Sequence, residues 1–86
     1  FDSLYFMELK ISADELKTQV AKIMQDPECG GIFRVKGFVK DDAGSWMQLN
    51  ATGHEISMKP IGDGQEVVIV IGEQLKEECI RKYLEN

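Results

Sequence analysis

Residues 66–72 read Glu66-Val67-Val68-Ile69-Val70-Ile71-Gly72. Five consecutive β-branched residues suit a strand, because their stiff side chains pack well on a pleated surface. Apolar residues fall on both alternating faces, the pattern of an interior strand covered on both sides or nearly so. Its place in the sheet decides the fold. Inserted between the first two strands of the chain, it turns their connection into a split β-α-β unit, ferredoxin-like, with a right-handed crossover.

Working outward, Pro60-Ile61-Gly62-Asp63-Gly64 is a turn signal on the N-terminal side. Before it, Ile56 and Met58 are out of parity with Met47, Leu49 and Ala51, which implies a bulge or turn near Gly53. On the C-terminal side a helix is expected from Glu73 to about Leu84. Leu75, Cys79, Ile80, Tyr83 and Leu84 form its apolar stripe, and Arg81 and Lys82 suit the negative end of its dipole.

Residues 30–46, GGIFRVKGFVKDDAGSW, hold a second strand over 31–40 and a turn at Asp41-Asp42-Ala43-Gly44, followed by a returning strand over Trp46–Thr52. Alternation sets Phe33, Val35 and Val39 on one face, and Ile32, Arg34, Lys36, Phe38 and Lys40 on the other. The first strand is expected within residues 3–11, with Tyr5, Met7, Leu9 and Ile11 on one face and Leu4, Phe6, Glu8 and Lys10 on the opposite one. Ser12-Ala13-Asp14-Glu15 is an S-x-x-E capping box opening a helix. Leu16, Val20, Ile23 and Met24 are its core stripe, and Pro27 and Gly30-Gly31 end it.

These elements predict an α+β, two-layer domain. A mainly antiparallel sheet of about four strands, with a short extra strand near residues 56–58, carries two helices on one face. All 86 residues form a single domain. The chain opens on Phe1 rather than Met, which leads us to expect a fragment of a longer protein.

At 43% hydrophobic and 29% charged, the composition is that of an ordinary globular domain. A net charge of −5 argues against nucleic acid, whose phosphates demand clustered cations. The longest apolar run, Val67–Ile71, is far short of a membrane span. There is no G-x-x-x-x-G-K-[ST] nucleotide loop, no G-x-G-x-x-G after a strand and no C-x-x-C. No nucleophile–base pair or carboxylate dyad can be assembled, so the chain is not expected to be an enzyme. His54 and Cys29 are weak candidates for metal ligands. His54 is more simply a turn histidine, because a zinc site needs three or four ligands. Cys29 lies in a loop and is expected to be accessible, and Cys79 belongs to a core stripe. The spacing leaves their pairing open. Two isolated cysteines in a Lys/Glu-rich chain without a secretion signal argue for reduced thiols in the cytoplasm.

Arg34 and Lys36 are the unusual feature. The plain reading is cations on an uncovered sheet face. The sharper reading groups them with Leu4, Phe6, Ile32, Phe38, Trp46, Val68 and Val70 on that face, as a docking surface with Arg and Trp anchors.

The segments IFRVKGFV, SWMQLN and EVVIVIGEQLKEECIRKYL, in that order, resemble the C-terminal domain of the CobW family, which is marked by an R-x-K-G strand. The resemblance runs from about Leu4 to the end. It implies a longer parent with an N-terminal P-loop GTPase domain, related to cobalamin synthesis and acting as a metallochaperone for zinc or cobalt. GTP and metal would belong to that parent, with no cofactor in this stretch. Arg34, Lys36 and Gly37 carry over as the signature, with Phe38 and Trp46 beside them as interaction residues. The implied role is a non-catalytic accessory domain that contacts the GTPase domain, a metal-requiring client or a second copy of itself. The alternative is a stand-alone α+β module that binds a small anion through Arg34 and Lys36.

Overall fold

The computed structural model describes residues 1–85. Their order is β1 (Asp2–Met7), α1 (Ala13–Gln25), a 3-10 turn (Pro27–Cys29), β2 (Gly31–Lys40), β3 (Trp46–Thr52), β4 (Ile56–Pro60), β5 (Val67–Glu73) and α2 (Glu77–Leu84). The strands form one antiparallel sheet in the order β1-β5-β2-β3-β4. The α+β class is as expected, with five strands because the short segment at Ile56–Pro60 is a full partner of β3. β5 enters between β1 and β2, as its apolar run predicts, and makes the split β-α-β.

Local chemistry explains the elements. Ser12 is extended and its Oγ accepts from the Glu15 amide at 3.1 Å, satisfying one of the free amides that open α1. Leu16, Val20 and Ile23 are fully buried, the helical stripe expected from their spacing. α2 begins at Glu77, later than the Glu73 expected from sequence. Glu73 still pairs with Gly31 at the end of β5, and Gln74 has a positive φ of 52°, which no α-helix accommodates.

Both helices share one core with the sheet. Val35, Leu49 and Ala51 from the central strands meet Leu16, Val20 and Ile23 from α1, and Ile80 and Leu84 from α2. Phe6, Val68 and Val70 join them, buried to 2% exposure or less. Here the strand parities read from the sequence are corrected. Phe6, Leu4, Val68 and Val70 face the helices, while Tyr5 and Met7 are 64% and 55% exposed. The reason lies at Glu8, whose φ is +58°. The strand stops at Met7, so Leu9 and Ile11 reach the core from a loop and say nothing about the parity of Tyr5 and Met7. A register shift between Ile32 and Arg34 makes a second correction. The extra residue turns Ile32 against the core and leaves Phe33 49% exposed, where simple alternation had it buried beside Val35. β5 is interior, but its second face has no layer above it. Val67, Ile69 and Ile71 are half-buried by neighbouring strands' side chains.

Candidate functional site

The register builds the helix-free face row by row. Ser3, Ile71, Arg34 and Thr52 form one row across β1, β5, β2 and β3. Tyr5, Ile69, Lys36, Asn50 and Ser57 form the next, and Met7, Val67, Phe38, Gln48 and Lys59 the third. Lys40 and Trp46 close it at one end. Arg34, Lys36, Phe38 and Trp46 therefore share this face, with different apolar company from that expected: Tyr5, Met7, Ile69 and Ile71 replace Leu4, Phe6, Val68 and Val70. Tyr5 and Met7 are exposed on the same face as these cations.

The cations are held in place. Arg34 Nε donates to Asn50 Oδ1 at 3.0 Å. Lys36 Nζ lies 5.6 Å from the centre of the Phe38 ring, and Lys40 Nζ 5.3 Å from that of Trp46, both within cation–π reach. Trp46 is further flanked by Gly64, where an added Cβ would stand 3.0 Å from the indole. Among the described residues the ion pairs belong to Arg81, which meets Glu77 and Glu85, so Arg34 and Lys36 present uncompensated charge.

Gly37 faces the other way. A Cβ there would stand 3.2 Å from Leu16 Cδ2 and 3.3 Å from Val68 Cγ2. The glycine of R-x-K-G admits the Leu16 side chain, so that α1 sits close on β2 and β3. Within four residues the motif thus serves both faces: cations outward, helix seating inward.

A second constellation lies at the helix side. The 3-10 turn packs on α2, with the Lys76 amide donating to the Cys29 carbonyl at 3.1 Å. Cys29 and Cys79 form a disulfide, with Cα atoms 5.2 Å apart. Both sequence expectations for these cysteines fail here: Cys29 is fully buried, and the thiols are joined. A separation of 50 residues conceals that the turn before β2 and the first turns of α2 share one corner. Asp26 borders the pair. Its Oδ1 accepts from the Glu28 amide at 2.9 Å and its Oδ2 from the Tyr83 hydroxyl at 2.7 Å. The Tyr83 hydroxyl first, and the Glu28 amide second, hold the Asp26 carboxyl below its ordinary range. Tyr83 is pushed up by the same hydrogen bond and by desolvation. Local pattern does not mark Asp26, because its partners Cys79 and Tyr83 lie 53 and 57 positions away in the sequence. His54 is exposed in the β3–β4 turn, its amide on Thr52 Oγ1 at 3.3 Å, and lies outside this corner.

The class defined by these features is a small domain with a split β-α-β sheet, helices on one face and no nucleotide loop of its own. The family model described as cobalamin synthesis protein cobW C-terminal domain matches residues 8–86, and the chain belongs to that family. No curated protein matches it. Two solved structures share the fold. A zinc-bound triple mutant of the YjiA GTPase superposes with a TM-score of 0.72 at 19% identity, over 99% of this chain and 30% of that one. The zinc-bound YjiA GTPase from E. coli gives a TM-score of 0.69 at 20% identity, over 95% of this chain and 28% of that one. The chain thus spans less than a third of those proteins. No helix among the described residues is long and apolar enough to cross a membrane.

Proposed function

We propose that this chain is the non-catalytic accessory domain of a longer CobW-family GTPase, and that it docks through its helix-free sheet face. The carrying observation is that Tyr5 and Met7 are 64% and 55% exposed on the same face as the unpaired charges of Arg34 and Lys36, while the internal core is complete without them. The docking partner is the GTPase domain of the same parent. Docking couples nucleotide state to delivery of zinc or cobalt to a client protein in the cytoplasm. Membership of a family described by cobalamin synthesis, and the likeness to zinc-bound GTPases, support that reading.

The test mixes this chain with the separately produced GTPase portion of the parent and measures the dissociation constant. Arg34→Ala with Lys36→Ala, and Tyr5→Ala alone, are each expected to weaken association at least about tenfold, because exposed anchors of this type carry most of an interface's energy. Unchanged affinity in all these variants sinks the proposal. The uncompensated charge of Arg34 and Lys36 also favours a second reading, a small-anion site. It requires thermal stabilisation by phosphate or a carboxylate that is lost on Arg34→Ala.

A further inference from the structure

Among the described residues, one group of metal-ligating side chains converges: Asp26, Cys29 and Cys79, whose donor atoms all lie within 4.8 Å of one another. We propose that, when reduced, Cys29 and Cys79 together with Asp26 form a site for a thiophilic divalent cation of the zinc class, which the disulfide closes. This corner lies on the helix side of the sheet. It stands or falls independently of docking through the opposite face.

The geometry supports a tetrahedral site. Zinc–sulfur bonds of about 2.3 Å separate two thiolates by about 3.8 Å across the metal. The Cα atoms of Cys29 and Cys79 are 5.2 Å apart, so opening the sulfurs by that amount needs only side-chain rotation and a small shift. The third donor is already aimed, with Asp26 Oδ2 lying 3.9 Å from Cys79 Sγ. The Tyr83 hydroxyl and the Glu28 amide fix the carboxylate, as outer partners fix the ligands of metal sites. Access exists too. Asp26, Cys79 and Tyr83 line the open groove between α1 and α2, and the side chain of Cys79 is only partly buried. Two thiolates and a carboxylate overbalance a divalent ion by one negative charge, and the groove around them carries Lys22, Lys76 and Lys82 beside Glu28, Glu78 and Glu85, so its lining is mixed in sign. The groove side leaves a fourth coordination position for water or an incoming ligand.

The switch balances chemically. A dithiol reductant supplies two electrons to the Cys29–Cys79 bond, its two hydrogens pass to the freed sulfurs, and it leaves as its own disulfide. Metal binding then displaces both protons to solvent.

The experiment titrates cobalt(II) into the 86-residue chain, reduced with a non-thiol phosphine or left oxidised, and follows thiolate-to-metal charge-transfer absorption. Reduced protein is expected to bind one ion per chain with that band, and zinc to displace it. Oxidised protein is expected to show no band. Cys29→Ser should diminish the band, and Asp26→Asn and Tyr83→Phe should each weaken binding by about tenfold or more. Tyr83→Phe retains all three ligands and so tests the site even where a cysteine variant does not fold. Absence of the band in reduced, folded wild type overturns the proposal. So does affinity unchanged by both Asp26→Asn and Tyr83→Phe.

Discussion

The packing of α1 on Gly37 makes a quantitative prediction. Gly37→Ala places a methyl group 3.2 Å from Leu16 Cδ2 and 3.3 Å from Val68 Cγ2, both on fully or almost fully buried side chains. Two effects oppose. Replacing a strand glycine lowers the entropy of the unfolded chain, which is worth about 0.5–1 kcal/mol. Overpacking a filled core costs about 1–3 kcal/mol. Both neighbours are core side chains at 0% and 1% exposure, so the overpacking cost is expected to outweigh the entropy gain, with a net loss of about 1 kcal/mol. Leu16→Ala alone opens a cavity at a site of 0% exposure and costs about 2–5 kcal/mol. In the double variant the new methyl at position 37 enters the space Leu16 has left. The clash vanishes and part of the cavity is filled, so the double variant is more stable than the sum of the singles by about 1–2 kcal/mol. Urea unfolding followed by far-ultraviolet circular dichroism measures all four proteins. With a slope of about 1–2 kcal/mol/M, the coupling appears as a midpoint difference of about 0.5–2 M. Additivity within about 0.5 kcal/mol would refute the claim that Gly37 exists to seat Leu16.

Further predictions concern the rest of the frame. Reducing the Cys29–Cys79 disulfide frees a loop with a sequence separation of 50, and the chain-entropy relation puts the loss at about 4 kcal/mol, checked by urea midpoints with and without reductant in the presence of a chelator. Gly72→Ala drives a Cβ into the backbone at Gly31 and Ile32, so it should destabilise by more than about 3 kcal/mol or prevent folding, whereas Gly62→Ala, which meets open space, should shift the melting curve little. Ser12→Ala removes the bond to the Glu15 amide and should cost about 1 kcal/mol, read from the same unfolding curves. Arg34→Ala and Lys36→Ala should each change stability by less than about 0.5–1 kcal/mol, because both side chains lie on the helix-free face outside the core.

Much of the architecture was legible in local pattern. The capping box at Ser12, the stripe of Leu16, Val20 and Ile23, and the doubly apolar run of Val67–Ile71 each state their element and, for the last, its interior place. The order of IFRVKGFV, SWMQLN and EVVIVIG also led to the family that the matching domain model shows. The misreadings have one kind of cause. Alternation counted through Glu8 puts Tyr5 and Met7 inward, although the chain leaves the strand there. Alternation also puts Phe33 inward, because nothing in its neighbours announces the register shift beside it. Both are events of backbone geometry lasting one residue, and period-2 counting carries straight across them. The helical period takes in Leu75 for the same reason, although the chain is interrupted at Gln74 and α2 begins at Glu77.

By itself, the sequence determined which segments become helix or strand, where β5 must enter the sheet, and that the R-x-K-G strand carries its cations opposite Val35. Periodicity and capping depend on near neighbours, so the chain states them directly. The tertiary structure alone decided which residues join Arg34 and Lys36 on the open face, why position 37 is glycine, and that Asp26, Cys29 and Cys79 share a corner. Those facts depend on how α1 settles on the sheet and on α2 returning to the turn at Pro27. Contacts between residues about fifty positions apart leave no trace in any local period.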